Sequence, residues 1–147
     1  MRPIAAAVIL AFAALAACSE PASQPASAPA SAPAPAVLAG VDLNQPIRAL
    51  GTEPFWGISI TASSIGYTAL EGEPLLGPNP GPTLQGTTAT YASTVGDRPV
   101  EITLIATECS DGMSDRTYPL TAMVKLGGET LNGCAGSRAA LEAQPPA

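Results

Sequence analysis

Downstream of residue 40 apolar and polar positions alternate with a period of two, the pattern of strands with one face in a core. The clearest run is Pro99 to Thr107. Val100, Ile102, Leu104 and Ala106 share one face; Glu101, Thr103 and Thr107 take the other, joined by Ile105. Tyr118 to Leu126 repeats it, with Leu120, Ala122, Val124 and Leu126 against Thr121, Met123 and Lys125. Gly127-Gly128 then signals a two-residue hairpin, and Glu129 to Gly133 reads as the return strand ending at Cys134. Further upstream, Phe55 to Thr61 places Trp56, Ile58 and Ile60 on one face. Ser63-Ser64 suits a turn, and Ile65 to Leu70 suits its return arm. Thr87 to Thr94, threonine-rich around Tyr91, is a further strand. Between them Gly72 to Gly86 carries Pro74, Pro78, Pro80 and Pro82 and reads as a loop, because proline donates nothing to a ladder. Ala139 to Ala143 could form one helical turn within a frayed tail over residues 139–147. The pattern predicts an all-β domain over residues 41–138, a small barrel or a sandwich of six to eight strands.

The start of the chain follows another pattern. Met1-Arg2 supplies a positive charge, and Ile4 through Leu15 form an apolar run too short to span a bilayer as a permanent helix. Small residues then lead to Leu15-Ala16-Ala17-Cys18. Residues 1–17 therefore read as a signal peptide. The tetrapeptide resembles the lipobox of bacterial lipoproteins, in which a diacylglyceryl group joins the cysteine thiol and the chain is cut just before it. The resemblance implies that Cys18 becomes a lipidated N-terminus; the alternative is an ordinary secretory signal that happens to contain a cysteine. The next residue is Ser19. In Gram-negative lipoproteins an aspartate there favours the inner membrane, so the resemblance implies an outer-membrane protein facing the periplasm. Residues 18–40 are mostly Pro, Ala and Ser. They cannot bury enough apolar surface to fold, and proline extends them at about 3.1 Å per residue, which suits a tether.

Charge narrows the partners. Of six basic side chains Arg2 lies in the leader, leaving five against twelve acidic ones. Nucleic acid needs a positive footprint, so it is excluded as a partner. The membrane is expected as a partner through the lipid on Cys18, and a protein or cell-wall partner fits beside it. A domain of about a hundred residues has a modest core and benefits from a staple. With Cys18 lipidated, Cys109 and Cys134 remain, and an even pair in an oxidising compartment reads as one disulfide. A pair of free thiols binding copper or zinc is the alternative, weakened by the lack of any histidine to complete a site.

Two stretches, Gly51-Thr52-Glu53-Pro54-Phe55-Trp56 and Cys109-Ser110-Asp111-Gly112-Met113-Ser114-Asp115-Arg116-Thr117-Tyr118-Pro119 followed by Gly133-Cys134-Ala135, carry a resemblance. Together they resemble a family of small bacterial envelope lipoproteins, over about Arg48 to Ala135. The resemblance implies the domain type and no activity, cofactor or metal. Read physically, Asp111-Gly112 and Ser114-Asp115 are turn-forming pairs, and Arg116 could pair with either aspartate. The segment is a disulfide-pinned loop satisfying its own backbone, a calcium loop, or a displayed recognition loop using Asp111, Met113, Asp115, Arg116 and Tyr118. Phe55 and Trp56 are two of only six aromatic residues, so one is expected in the core and the other as a contact. Glu53 is expected buried against Arg48 or Arg116.

The lack of histidine removes the usual general base and the Ser-His and Cys-His pairs. No nucleophile elbow or phosphate loop appears. Glu53, Asp111 and Asp115 are the carboxylates left for acid–base work, and a domain this small has little room for a glycan cleft. The chain is therefore expected to be a non-catalytic, lipid-anchored binding or structural module of the envelope. The alternative is an inhibitor of a periplasmic or host hydrolase such as lysozyme, by analogy with small acidic lipoproteins of similar build.

Overall fold

The computed structural model describes residues 36–144. The expected signal peptide, Cys18 and the expected tether up to residue 35 lie outside the described residues, as do the last three positions.

The domain is all-β. Its main sheet has nine strands: β3 (Ile47–Thr52), β4 (Phe55–Ile60), β5 (Ser64–Ala69), β6 (Leu75–Pro78), β7 (Thr83–Gln85), β8 (Thr88–Val95), β9 (Arg98–Ile105), β12 (Leu120–Leu126) and β13 (Glu129–Ser137). They run in the order β6-β5-β4-β3-β13-β12-β9-β8-β7, every neighbouring pair antiparallel. Two small hairpins stand beside it: β1 (Val37–Leu38) with β2 (Val41–Asp42), and β10 (Cys109–Ser110) with β11 (Thr117–Tyr118). The sheet curls into a half-barrel around one core. Alternation sets which face is inside: Leu120, Ala122, Val124 and Leu126 of β12 are buried, as are Val100, Ile102 and Leu104 of β9.

The margins of the sheet meet. β7 pairs with β8 at Thr88–Thr90, and farther along the same edge β8 meets β6. There Gly96 N donates to Leu76 O at 2.9 Å, and Ser93 Oγ donates to Pro78 O at 2.6 Å. A Cβ on Gly77 would fall on the Thr94 carbonyl oxygen, so only glycine lets the two backbones approach.

Three expectations change. The segment from Gly72 to Gly86 is not all loop: it supplies β6 and β7, which brings the sheet to nine strands rather than six to eight. Proline is tolerated because both strands lie at margins, where one side needs no N–H donor. The ordered domain also starts before Val41. Ala39 and Gly40 both take positive φ in a tight turn, and Leu38, Val41 and Leu43 enter the core. Residues 36–40 thus belong to the domain and not to the tether. Finally, the helical turn expected near residues 139–143 forms as α1 (Arg138–Glu142), but it is held to the domain instead of fraying: Ser137 Oγ accepts from Ala140 N and Leu141 is buried.

Inside the half-barrel, Trp56 lies between two glycines. A Cβ on Gly51 would fall on its indole nitrogen, and one on Gly133 would stand 2.8 Å from its Cζ2. Trp56 is 5 % exposed. Tyr91 is fully buried in the same core, and loss of water around its hydroxyl pushes its pKa up to about 12.

Candidate functional site

The outer face of β3 gathers the residues that stood out in the sequence. Ile47, Ala49 and Gly51 point inward, so Arg48, Leu50 and Thr52 point outward. Beside them, Tyr118, Cys134 and Leu141 form a second apolar cluster with Leu50 and Cys109, on the opposite side of the sheet from the main core. This cluster seats the loop of residues 109–118 and α1 against the outside of β3 and β13.

The disulfide Cys109–Cys134 fixes that arrangement, with the Cα atoms 5.5 Å apart. Cys134 is opposite Thr121 on β12 and Leu50 on β3, while Cys109 is opposite Tyr118 in the small hairpin. The bridge therefore ties the base of the loop to the middle of the sheet.

Within the loop Asp111 is the organising group. Its Oδ1 accepts from Met113 N at 3.0 Å and Ser114 N at 2.8 Å; its Oδ2 accepts from Ser114 Oγ at 2.8 Å and Tyr118 OH at 3.0 Å. The backbone bond from Ser114 is the main cause of a pKa lowered to about 2, helped by the Ser114 hydroxyl, the Met113 amide and Tyr118 and opposed by partial burial. The Tyr118 pKa is raised, first by burial and then by its bond to Asp111. A carboxylate this acidic, with both oxygens engaged, is a poor base or proton donor at neutral pH. It follows that the bonds to Asp111 stabilise the loop fully above about pH 5, where an unfolded aspartate is almost wholly ionised, and fade as pH falls toward 2. We expect the protection of the Met113 and Ser114 amides, their exchange taken relative to the intrinsic rate at each pH, to fall over that window in the native protein. In Asp111→Asn that fall should be absent; an unchanged profile would refute the assignment.

The candidate residues separate by direction. Asp111 and Tyr118 turn into the loop, and Asp111 takes its bonds from Ser114, Met113 and Tyr118 rather than from Arg116. Met113 is 70 % exposed and Asp115 faces solvent. Half-buried Arg116 donates from Nη2 to Gln144 O at 3.5 Å. Trp56 is the aromatic inside the core, and Phe55, on the other face of β4, is 49 % exposed. Glu53 is exposed at the β3–β4 turn and makes no ion pair with Arg48 or Arg116, because outward projection at the turn leaves it in water. Among the described residues no group of three or more His, Cys, Asp or Glu side chains is placed to hold a metal ion.

Three hollows adjoin here, all lined by Leu50. The largest, about 490 Å³, lies between Thr52 and Glu53 on one side and Cys109, Asp111 and Met113 on the other. The second, about 290 Å³, is bounded by Arg48, Phe55, Gly57, Thr68 and Leu70. The third, about 390 Å³, lies between Arg48 and the Arg116, Tyr118 and Leu141 side. Leu50 and Leu70 were not singled out in the sequence, and Arg48 only as a partner for Glu53; the alternation of β3 is muted there because its inner positions include Ala49 and Gly51. Compared with protein-family models, with curated proteins and with solved structures, the chain matches none.

Proposed function

We propose that the protein is a non-catalytic, lipid-anchored module of the bacterial envelope that binds a protein or cell-wall partner on the outer face of β3. One observation carries this reading. The two stretches that resemble envelope lipoproteins, Gly51–Trp56 and Cys109–Tyr118, converge on a single hollow. Thr52 Oγ1 donates to Asp111 O at 3.3 Å across 59 positions of sequence. Met113 stands exposed on it and Phe55 on the adjoining hollow, which suits contact with a partner and adds nothing to the core. The leader and the lipobox-like Leu15-Ala16-Ala17-Cys18 support attachment through Cys18, and the Pro/Ala/Ser tether supports display away from the membrane. The acidic chain makes nucleic acid an unsuitable partner.

The test is site-specific photo-crosslinking in cells. A photoreactive side chain replaces Met113 in one strain and Leu84, on β7 across the domain, in another. A discrete adduct is expected from position 113 and not from position 84. Equal adducts, or none from either, would refute a binding role for this face. In the same cells a palmitate analogue should label the wild type and leave Cys18→Ser unlabelled.

A further inference from the structure

Arg48 stands apart from the other cations. Among the described residues Arg98 pairs with Glu129 at 3.0 Å, Lys125 with Glu101 at 2.8 Å and Arg138 with Glu142 at 2.8 Å. Arg116 is engaged with the Gln144 carbonyl. Arg48 makes no ion pair or hydrogen bond with any described residue, in a chain of net charge −6. The carboxylate that lines a hollow with it, Glu142, is held by Arg138.

Its surroundings form a recess. The guanidinium lies beside Gly57, where a Cβ would stand 3.3 Å from Nη2 and 3.0 Å from Thr68 Oγ1. Glycine at that position keeps the space next to the cation open. Phe55 and Leu70, the latter 79 % exposed, flank the same hollow and offer apolar surface within reach of it. A guanidinium presents a planar fork of donors that matches a carboxylate in two parallel hydrogen bonds. A single cation on an acidic domain favours a monoanion over a phosphate dianion, which the surrounding negative charge repels. At about 290 Å³ the hollow is near the lower limit for a small-ligand site and suits the end of a chain.

We propose that Arg48 seats the terminal carboxylate of a peptide whose last side chain is apolar and packs on Phe55 and Leu70. The proposal rests on the binding role given above to this face, and it names the chemistry of the occupant.

The experiment is calorimetric titration of the purified full chain with N-acetyl-Ala-Leu as the free acid, with its C-terminal amide, and with inorganic phosphate. The acid binds, and the amide binds at least tenfold more weakly. Arg48→Gln, an exposed substitution that leaves the fold intact, weakens the acid at least tenfold; Arg48→Lys falls between, and Arg98→Gln binds like the wild type. Acid and amide binding equally, phosphate binding as tightly as the acid, an equal loss in Arg98→Gln, or no binding of the acid at millimolar concentration would each overturn the proposal. Crosslinking from position 113 separates the two readings. An adduct that persists in Arg48→Gln, with no dipeptide bound by the wild type, removes the carboxylate seat and leaves the binding module standing. No adduct from position 113 with Arg48 in place, and no dipeptide bound, removes both.

Discussion

Replacing Cys109 and Cys134 together by alanine lowers the melting temperature by about ten degrees or more, taking roughly 4–8 °C per kcal/mol for a domain of this length. The bridge spans a sequence separation of 25 residues. Closing such a loop in the unfolded chain contributes about 3 kcal/mol in the chain-entropy view, and removal of a native bridge from a small domain costs about 2–5 kcal/mol. That is a large share of the stability of a domain this size. The site strengthens the expectation. β10 and β11 have two residues each, so their ladder alone cannot hold the loop. Cys134 is also buried in the outer cluster with Tyr118 and Leu141, so its loss removes packing as well as a crosslink. A thermal scan of the oxidised wild type against the double variant checks the effect. Thiol titration of the denatured oxidised protein should find neither cysteine free. An unchanged melting temperature would refute the structural role of the bridge.

The second large effect is expected from Trp56→Ala, at about 3–5 kcal/mol, the range for removing a buried aromatic side chain. The indole fills space left by Gly51 and Gly133, and neither glycine has a side chain that could move into the cavity. Trp56→Phe should cost less. Among the described residues the indole nitrogen has no hydrogen-bond partner, so the smaller ring forfeits volume and no polar contact. The complementary change, Gly133→Ala, should be as damaging as Trp56→Ala, because the new Cβ would fall on the Leu50 carbonyl oxygen and part β13 from β3. Denaturant unfolding of the three variants gives the order. Trp56→Ala losing less than about 1 kcal/mol would mean that the indole is not a core anchor.

The strands with strict alternation were legible in the sequence, since Val100, Ile102 and Leu104 or Leu120, Ala122 and Val124 identify a face without reference to any partner. The Gly127-Gly128 hairpin and the Cys109–Cys134 pair were legible for the same local reason. β6 and β7 were not. Leu75–Pro78 and Thr83–Gln85 pair with the strands next to them in the chain, at Ser64–Tyr67 and Thr88–Thr90, and the glycines and prolines around them hide that pairing. β1 and β2 were hidden by the Ala- and Pro-rich composition running into them. At the candidate site, the Cys109–Tyr118 loop and Phe55 could be singled out, whereas Leu50 could not and Arg48 stood out only as a partner for Glu53. Their importance lies in facing outward from β3 beneath the disulfide loop, and that depends on which way the sheet curls.

The place of β13 has a consequence for the order in which the fold can assemble. β13 is the last strand in the described chain, yet it sits at the centre of the sheet, joining β12 to β3. β3, β4 and β5 on one side and β8, β9 and β12 on the other have no ladder between them until it arrives. Only the margin contact of β6 with β8 could link them earlier, and it brings together backbones that β13 has not yet aligned. A chain delivered from its N-terminus, whether by a ribosome or through a membrane pore, therefore cannot complete this sheet until about residue 137 has emerged. Topology alone thus postpones completion of the sheet until nearly all of the domain has passed, while the hairpins on either side of β13 can pair earlier.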